Sequence, residues 1–70
     1  MSQADYLKDP NFLNIDAKVR REQNLQGFDV VKVSRQVVNG FVYLIVYRNQ
    51  QGATVTARVY ASRNGDLTVQ

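Results

Sequence analysis

The sequence contains no cysteine, no histidine and no tryptophan, and only one proline. Without cysteine there is no disulfide framework and no thiol nucleophile. Without histidine the His-dependent triads, the commonest general base and most zinc sites are excluded. No apolar run approaches the roughly 18 residues of a membrane span. The opening residues, Met1-Ser2-Gln3-Ala4-Asp5, lack the basic and apolar regions of a secretory signal. Together these absences predict a cytoplasmic, reducing compartment, although a processed secreted chain would look the same.

Acidic residues are also scarce. Six Asp and Glu face nine Lys and Arg, for a net charge of +3. The excess is small, and its one tight group is Lys18, Arg20 and Arg21, which reads as a solvated helix face. What remains is a balanced mixture, 44% hydrophobic and 21% charged over 70 residues. That suits one small globular domain spanning 1–70, with a thin core and no deep enclosed active site.

Composition shifts once, near Gly27. Before it, Asp9 caps a helix that Pro10 starts, because the first helical position needs no amide hydrogen. Phe12, Ile15 and Val19 follow at helical spacing as one apolar stripe, with Leu13 beside it. Gly27 is the expected stop. Ser2 with Asp5 resembles a capping box, but Pro10 lies too close for a long helix there, so residues 2–8 read as an arm or short turn.

After Gly27 the strand formers Val, Tyr, Thr and Ile dominate. Strands are expected from Phe28 to Val38, Phe41 to Arg48, Thr54 to Ala61 and Leu67 to Gln70. Asn39-Gly40 predicts a two-residue hairpin with Val38 facing Phe41. In that register Val31, Val33 and Val37 share a core face with Val42, Leu44, Val46, Val55, Ala57, Val59, Ala61, Leu67 and Val69. The opposite face would carry Lys32, Ser34, Gln36, Tyr43, Ile45, Tyr47, Thr56, Arg58 and Tyr60. The predicted fold is α+β: one N-terminal helix packed across a four-stranded antiparallel sheet.

Nothing in the pattern points to catalysis. The carboxylates Asp5, Asp9, Asp16, Glu22, Asp29 and Asp66 are scattered, and Gly27, Gly40, Gly52 and Gly65 are isolated turn glycines rather than a phosphate loop. Ser2, Ser34 and Ser62 have no histidine to activate them. No enzyme activity, metal or cofactor is expected.

At the first hairpin the chain reads Gln36-Val37-Val38-Asn39-Gly40. This resembles the Gln-x-Val-x-Gly motif of the cystatins, inhibitors of papain-like cysteine proteases. The surroundings are similar too: a helix first, then Gly27-Phe28-Asp29-Val30-Val31-Lys32-Val33 leading into the motif. Phe41 to Tyr47, Ala57 to Ser62 and Leu67 to Val69 resemble the family's later strands. The likeness covers about residues 13–70 and points to the stefin or plant branch.

The resemblance implies reversible tight binding, with the Gln36–Gly40 hairpin inserted into the protease cleft and the loop of Ser62, Arg63, Asn64 and Gly65 beside it. The arm from Met1 to Lys8 would assist. The chain departs from the family in having no glycine within residues 1–26 and no Pro-Trp in its second loop.

Two other readings belong to different classes. One is a non-inhibitory cystatin-like scaffold or interaction module, monomeric or a dimer that exchanges elements by opening the hinge Val37 to Phe41. Asn39-Gly40 opposes that exchange by favouring the closed turn. The other is a nucleic-acid binder stacking bases on Tyr43, Tyr47 and Tyr60, with Lys32, Arg48 and Arg58 near phosphates. The low charge and the lack of a nucleic-acid motif argue against it.

Overall fold

The computed structural model describes Tyr6 and residues 8–70. The expected Ser2–Asp5 capping box and most of the Met1–Lys8 arm lie outside the described residues.

Helix α1 spans Pro10–Gln23. Asp9 is its N-cap, accepting from the Asn11 amide at 2.9 Å, and Pro10 occupies the first turn. The helix ends earlier than Gly27. Asn24 takes the left-handed conformation (φ 55°) and donates its amide to the Arg20 carbonyl. A short amide side chain tolerates this conformation, so asparagine does here what was expected of glycine.

Four strands follow: β1 (Asp29–Val38), β2 (Gly40–Arg48), β3 (Thr54–Ala61) and β4 (Leu67–Val69). They form one antiparallel sheet in chain order, β1-β2-β3-β4. Among the described residues the architecture is therefore the expected α+β arrangement, with helix α1 preceding a four-stranded antiparallel sheet.

The helix stripe is as expected. Phe12, Ile15 and Val19 are buried, while Leu13 remains half exposed. Each such burial contributes about 1.5–3 kcal/mol. Tyr6 and Leu25 join this core, with the Tyr6 ring 4.7 Å from that of Phe12.

The sheet shows one correction. Val37 pairs with Phe41 and Val38 with Gly40, so the hairpin is one residue tighter than a two-residue loop. A one-residue slip turns every side chain of a strand to the other face. Accordingly Tyr43, Ile45 and Tyr47 of β2 face the helix and are buried, while Leu44 is exposed on the opposite side. Val33 on β1 and Val55, Ala57, Val59, Ala61, Leu67 and Val69 on β3 and β4 do line the core. Val31 does not: it sits at a bulge between Val30 and Lys32 and is exposed.

The buried tyrosines need polar partners, and the helix supplies them. The Tyr47 hydroxyl donates to Asp16 Oδ1 at 2.7 Å, and the Tyr43 hydroxyl lies 3.4 Å from Asp9 Oδ2. Arg20 holds the other end. Its Nε contacts both Asp16 oxygens at 3.0 and 3.1 Å, its Nη1 donates to the Phe28 carbonyl at 2.7 Å, and it stacks over the Tyr47 ring. Lys18 pairs with Glu22 at 3.0 Å. The basic group Lys18, Arg20 and Arg21 is thus divided, with Arg20 engaged in tying the helix to the sheet.

Candidate functional site

A meander places alternate connections at the same end of the sheet. The β1–β2 hairpin and the β3–β4 loop therefore share one end, and the start of α1 lies there too. Asn11, Asn14 and Ile15 line a cavity of about 250 Å³ together with Phe41, Tyr43, Ser62, Arg63 and Gly65. Three chain segments distant in sequence meet at this end.

The hairpin tip is held from both sides. The Tyr60 hydroxyl donates to the Asn39 carbonyl at 2.5 Å. Arg63 Nη1 lies 3.5 Å from Asn39 Oδ1, linking the second loop to the first. The second loop is closed by its own main chain: Ser62 donates to the Asp66 carbonyl at 2.9 Å, and Gly65 to the Ser62 carbonyl at 3.1 Å. Ser62 Oγ accepts from the Asp66 amide at 3.1 Å.

Gly40 explains the tightness of the turn. It is buried, with φ 121°, and a Cβ there would lie 2.6 Å from the Ala61 carbonyl oxygen and 3.1 Å from the Tyr60 hydroxyl. Only glycine lets the strand end approach β3 this closely. Asn39 does not adopt positive φ, since Asn24 is the one non-glycine residue that does so among those described. The turn is therefore not the type expected from Asn-Gly.

The apolar residues of the tip point outward. Val37 is 72% exposed and Val38 46% exposed. Their register places Val37 on the helix side, opposite Phe41, and Val38 on the other side, opposite Gly40. Gln36 and Asn39 are exposed as well. In the second loop Arg63, Asn64 and Gly65 are exposed and Ser62 is half-buried. The residues singled out from the sequence thus fall at one end, with Gly40 buried as support rather than surface. Tyr60 lies on the outer sheet face, as expected, but its anchoring of the tip carries no signal in the motif.

Arg35 stacks over the Phe41 ring at 5.3 Å, adding positive charge near the tip. Burial holds the Tyr43 hydroxyl above its ordinary pKa. The base-stacking platform is not formed: Tyr43 and Tyr47 lie under the helix, and Tyr60 is turned to Asn39. Among the described residues no three acidic side chains gather into a cluster that could hold a metal ion. Among them, too, no helix is long and apolar enough to cross a membrane.

No family model, curated protein or solved structure matches the chain.

Proposed function

We propose that this protein is a cystatin-like, reversible inhibitor of papain-like cysteine proteases that docks through the Gln36–Gly40 hairpin. The observation supporting this reading is the joining of Asn39 to Tyr60 and Arg63. It makes a narrow tip with an exposed valine on each flank, held before any partner arrives. A loop fixed in advance loses little entropy on docking, so more of its apolar contact appears as affinity. The inhibitor performs no chemistry. It fills the cleft and keeps substrate out, which requires neither histidine nor cysteine.

The test is a titration of papain activity with wild type, Val37→Asp and Val38→Asp. Both valines are exposed, so the variants should keep the wild-type circular dichroism and melting temperature. A buried charge in the cleft should weaken inhibition by about tenfold or more. If the folded wild type leaves papain active at micromolar concentrations, the inhibitor reading falls.

A further inference from the structure

Strand β1 pairs with β2 on one side only, among the described residues, and is the long edge of the sheet. Its outer main-chain groups form a template for another strand. The opposite edge is different, because β4 is only three residues long. Of the five exposed large hydrophobic residues among those described, three, Val31, Val37 and Val38, belong to β1. A fourth, Leu13, lines a cleft of about 540 Å³ with Val31, along the seam between α1 and β1.

We propose that β1 pairs antiparallel with β1 of a second copy, about a two-fold axis at Ser34, joining two sheets edge to edge. The main chain restricts the register first. Successive residues point their amide and carbonyl groups to alternate sides of a strand. A two-fold axis between two residues would set outward groups against inward ones, so the axis must pass through a residue.

Among the central residues Lys32 to Arg35, charge and apolar surface then favour Ser34. An axis at Lys32 or Arg35 would set that cation against its own copy, which is destabilising. An axis at Val33 would place the exposed Val37 opposite Asp29. With the axis at Ser34, Lys32 meets Gln36 and Arg35 meets Val33, so no like charges oppose. Val37 then reaches the partner's Val31, twice. Val37 lies on the helix side of its sheet, because it pairs with Phe41, which packs against the core. It would therefore arrive beside the cleft that Leu13 and Val31 line. The bulge at Val31 ends the regular ladder there, confining it to Lys32–Gln36. Such a short ladder gives a weak dimer, with a dissociation constant on the order of 100 µM.

This inference does not rest on the inhibitor reading, although both use Val37 and the two partners would compete for it. Its test needs no protease. The chain has no cysteine, so Ser34→Cys introduces a single thiol. Opposed residues in an antiparallel pair have Cα atoms about 4.5–5.5 Å apart, within disulfide reach. Thr56→Cys, on the outer face of β3, serves as control.

The wild type should show a concentration-dependent mass by sedimentation between about 10 µM and 1 mM, reversible on dilution. The Ser34→Cys variant should form a covalent dimer about tenfold or more faster than the Thr56→Cys variant, because pairing raises the local thiol concentration. Adding Val37→Lys to Ser34→Cys should slow that crosslink. The proposal is overturned by a mass that stays monomeric across the range, or by Ser34→Cys crosslinking no faster than Thr56→Cys. It also falls if the dimer persists on dilution, which marks exchange of elements, or if Val37→Lys leaves the crosslink unchanged. A further control offers the Ser34→Cys variant a scrambled β1 peptide bearing one cysteine. Crosslinking to that peptide as readily as to a second copy would assign the edge to any extended peptide and overturn the second-copy assignment.

Discussion

Tyr60 on β3 donates its hydroxyl hydrogen to the main-chain carbonyl of Asn39, 2.5 Å away and 21 residues earlier in the chain. This bond fastens the tip of the first hairpin to the body of the sheet. A tight hairpin otherwise depends on its own turn, and this turn lacks the positive φ at Asn39 that a type I′ hairpin needs.

Tyr60→Phe removes that bond and little else. A partly exposed neutral hydrogen bond contributes about 0.5–1.5 kcal/mol, so the fold should survive with a slightly lower melting temperature. The larger effect is on order. Amides around Asn39 should exchange faster in the variant, and, under the proposed inhibitor role, inhibition of papain should weaken several-fold while the Val37 and Val38 side chains are untouched. Unchanged exchange near Asn39 would show that Arg63 and Gly40 hold the tip alone.

Gly40→Ala tests the other support. Its Cβ would sit 2.6 Å from the Ala61 carbonyl oxygen, on backbone that cannot rotate away, and at φ 121°. The expected cost is about 2–4 kcal/mol, from strain at that φ and the forced separation of β2 from β3. Chemical denaturation should show it as a lower midpoint. Loss of inhibition at this position would therefore reflect a damaged fold as much as a blocked docking surface. The exposed Val37 and Val38 separate those two effects, and Gly40 does not. A Gly40→Ala midpoint equal to wild type would mean that the hairpin relaxes without cost.

The helix, the four strands and the Phe12, Ile15 and Val19 stripe are legible in the residues, because caps, turn glycines and β-branched runs all agree. The facing of β2 is not. Val42-Tyr43-Leu44-Ile45-Val46-Tyr47 is apolar at every position, so alternation cannot choose a side. The choice had to come from the Asn-Gly turn, and the turn is one residue tighter than that dipeptide suggests.

A signal was nonetheless present in the spacing of polar groups. Tyr43 and Tyr47 lie about 13 Å apart along a strand. Asp9 and Asp16 lie about 10.5 Å apart along a helix. Two buried hydroxyls thus find two carboxylates at nearly matched separation, and only one facing of β2 allows it. The support from Tyr60 is legible only in three dimensions, because it depends on how β3 lies against the hairpin.

The Tyr47–Asp16 bond also predicts the response to alkaline pH. Burial raises the Tyr47 pKa well above the ordinary tyrosine value of about 10, and the hydrogen bond and charge of Asp16 raise it further. Burial raises Tyr43 and Tyr6 in the same direction. Well below about pH 10 the folded and unfolded chains both keep these protons, so stability does not depend on them. Above it the unfolded chain releases protons that the folded chain retains, and stability falls with rising pH. Each such group contributes a slope of at most about 1.4 kcal/mol per pH unit. Urea denaturation from about pH 8 to about pH 11 should therefore show a falling midpoint in the wild type. Tyr47→Phe should be less stable at neutral pH, because Asp16 loses a donor, but should lose less on going alkaline. The two curves should converge as the pH rises, with Tyr43 and Tyr6 leaving some slope in the variant. Parallel curves would mean that Tyr47 ionises in the folded protein as easily as in the unfolded chain, and that its bond to Asp16 does not hold the proton.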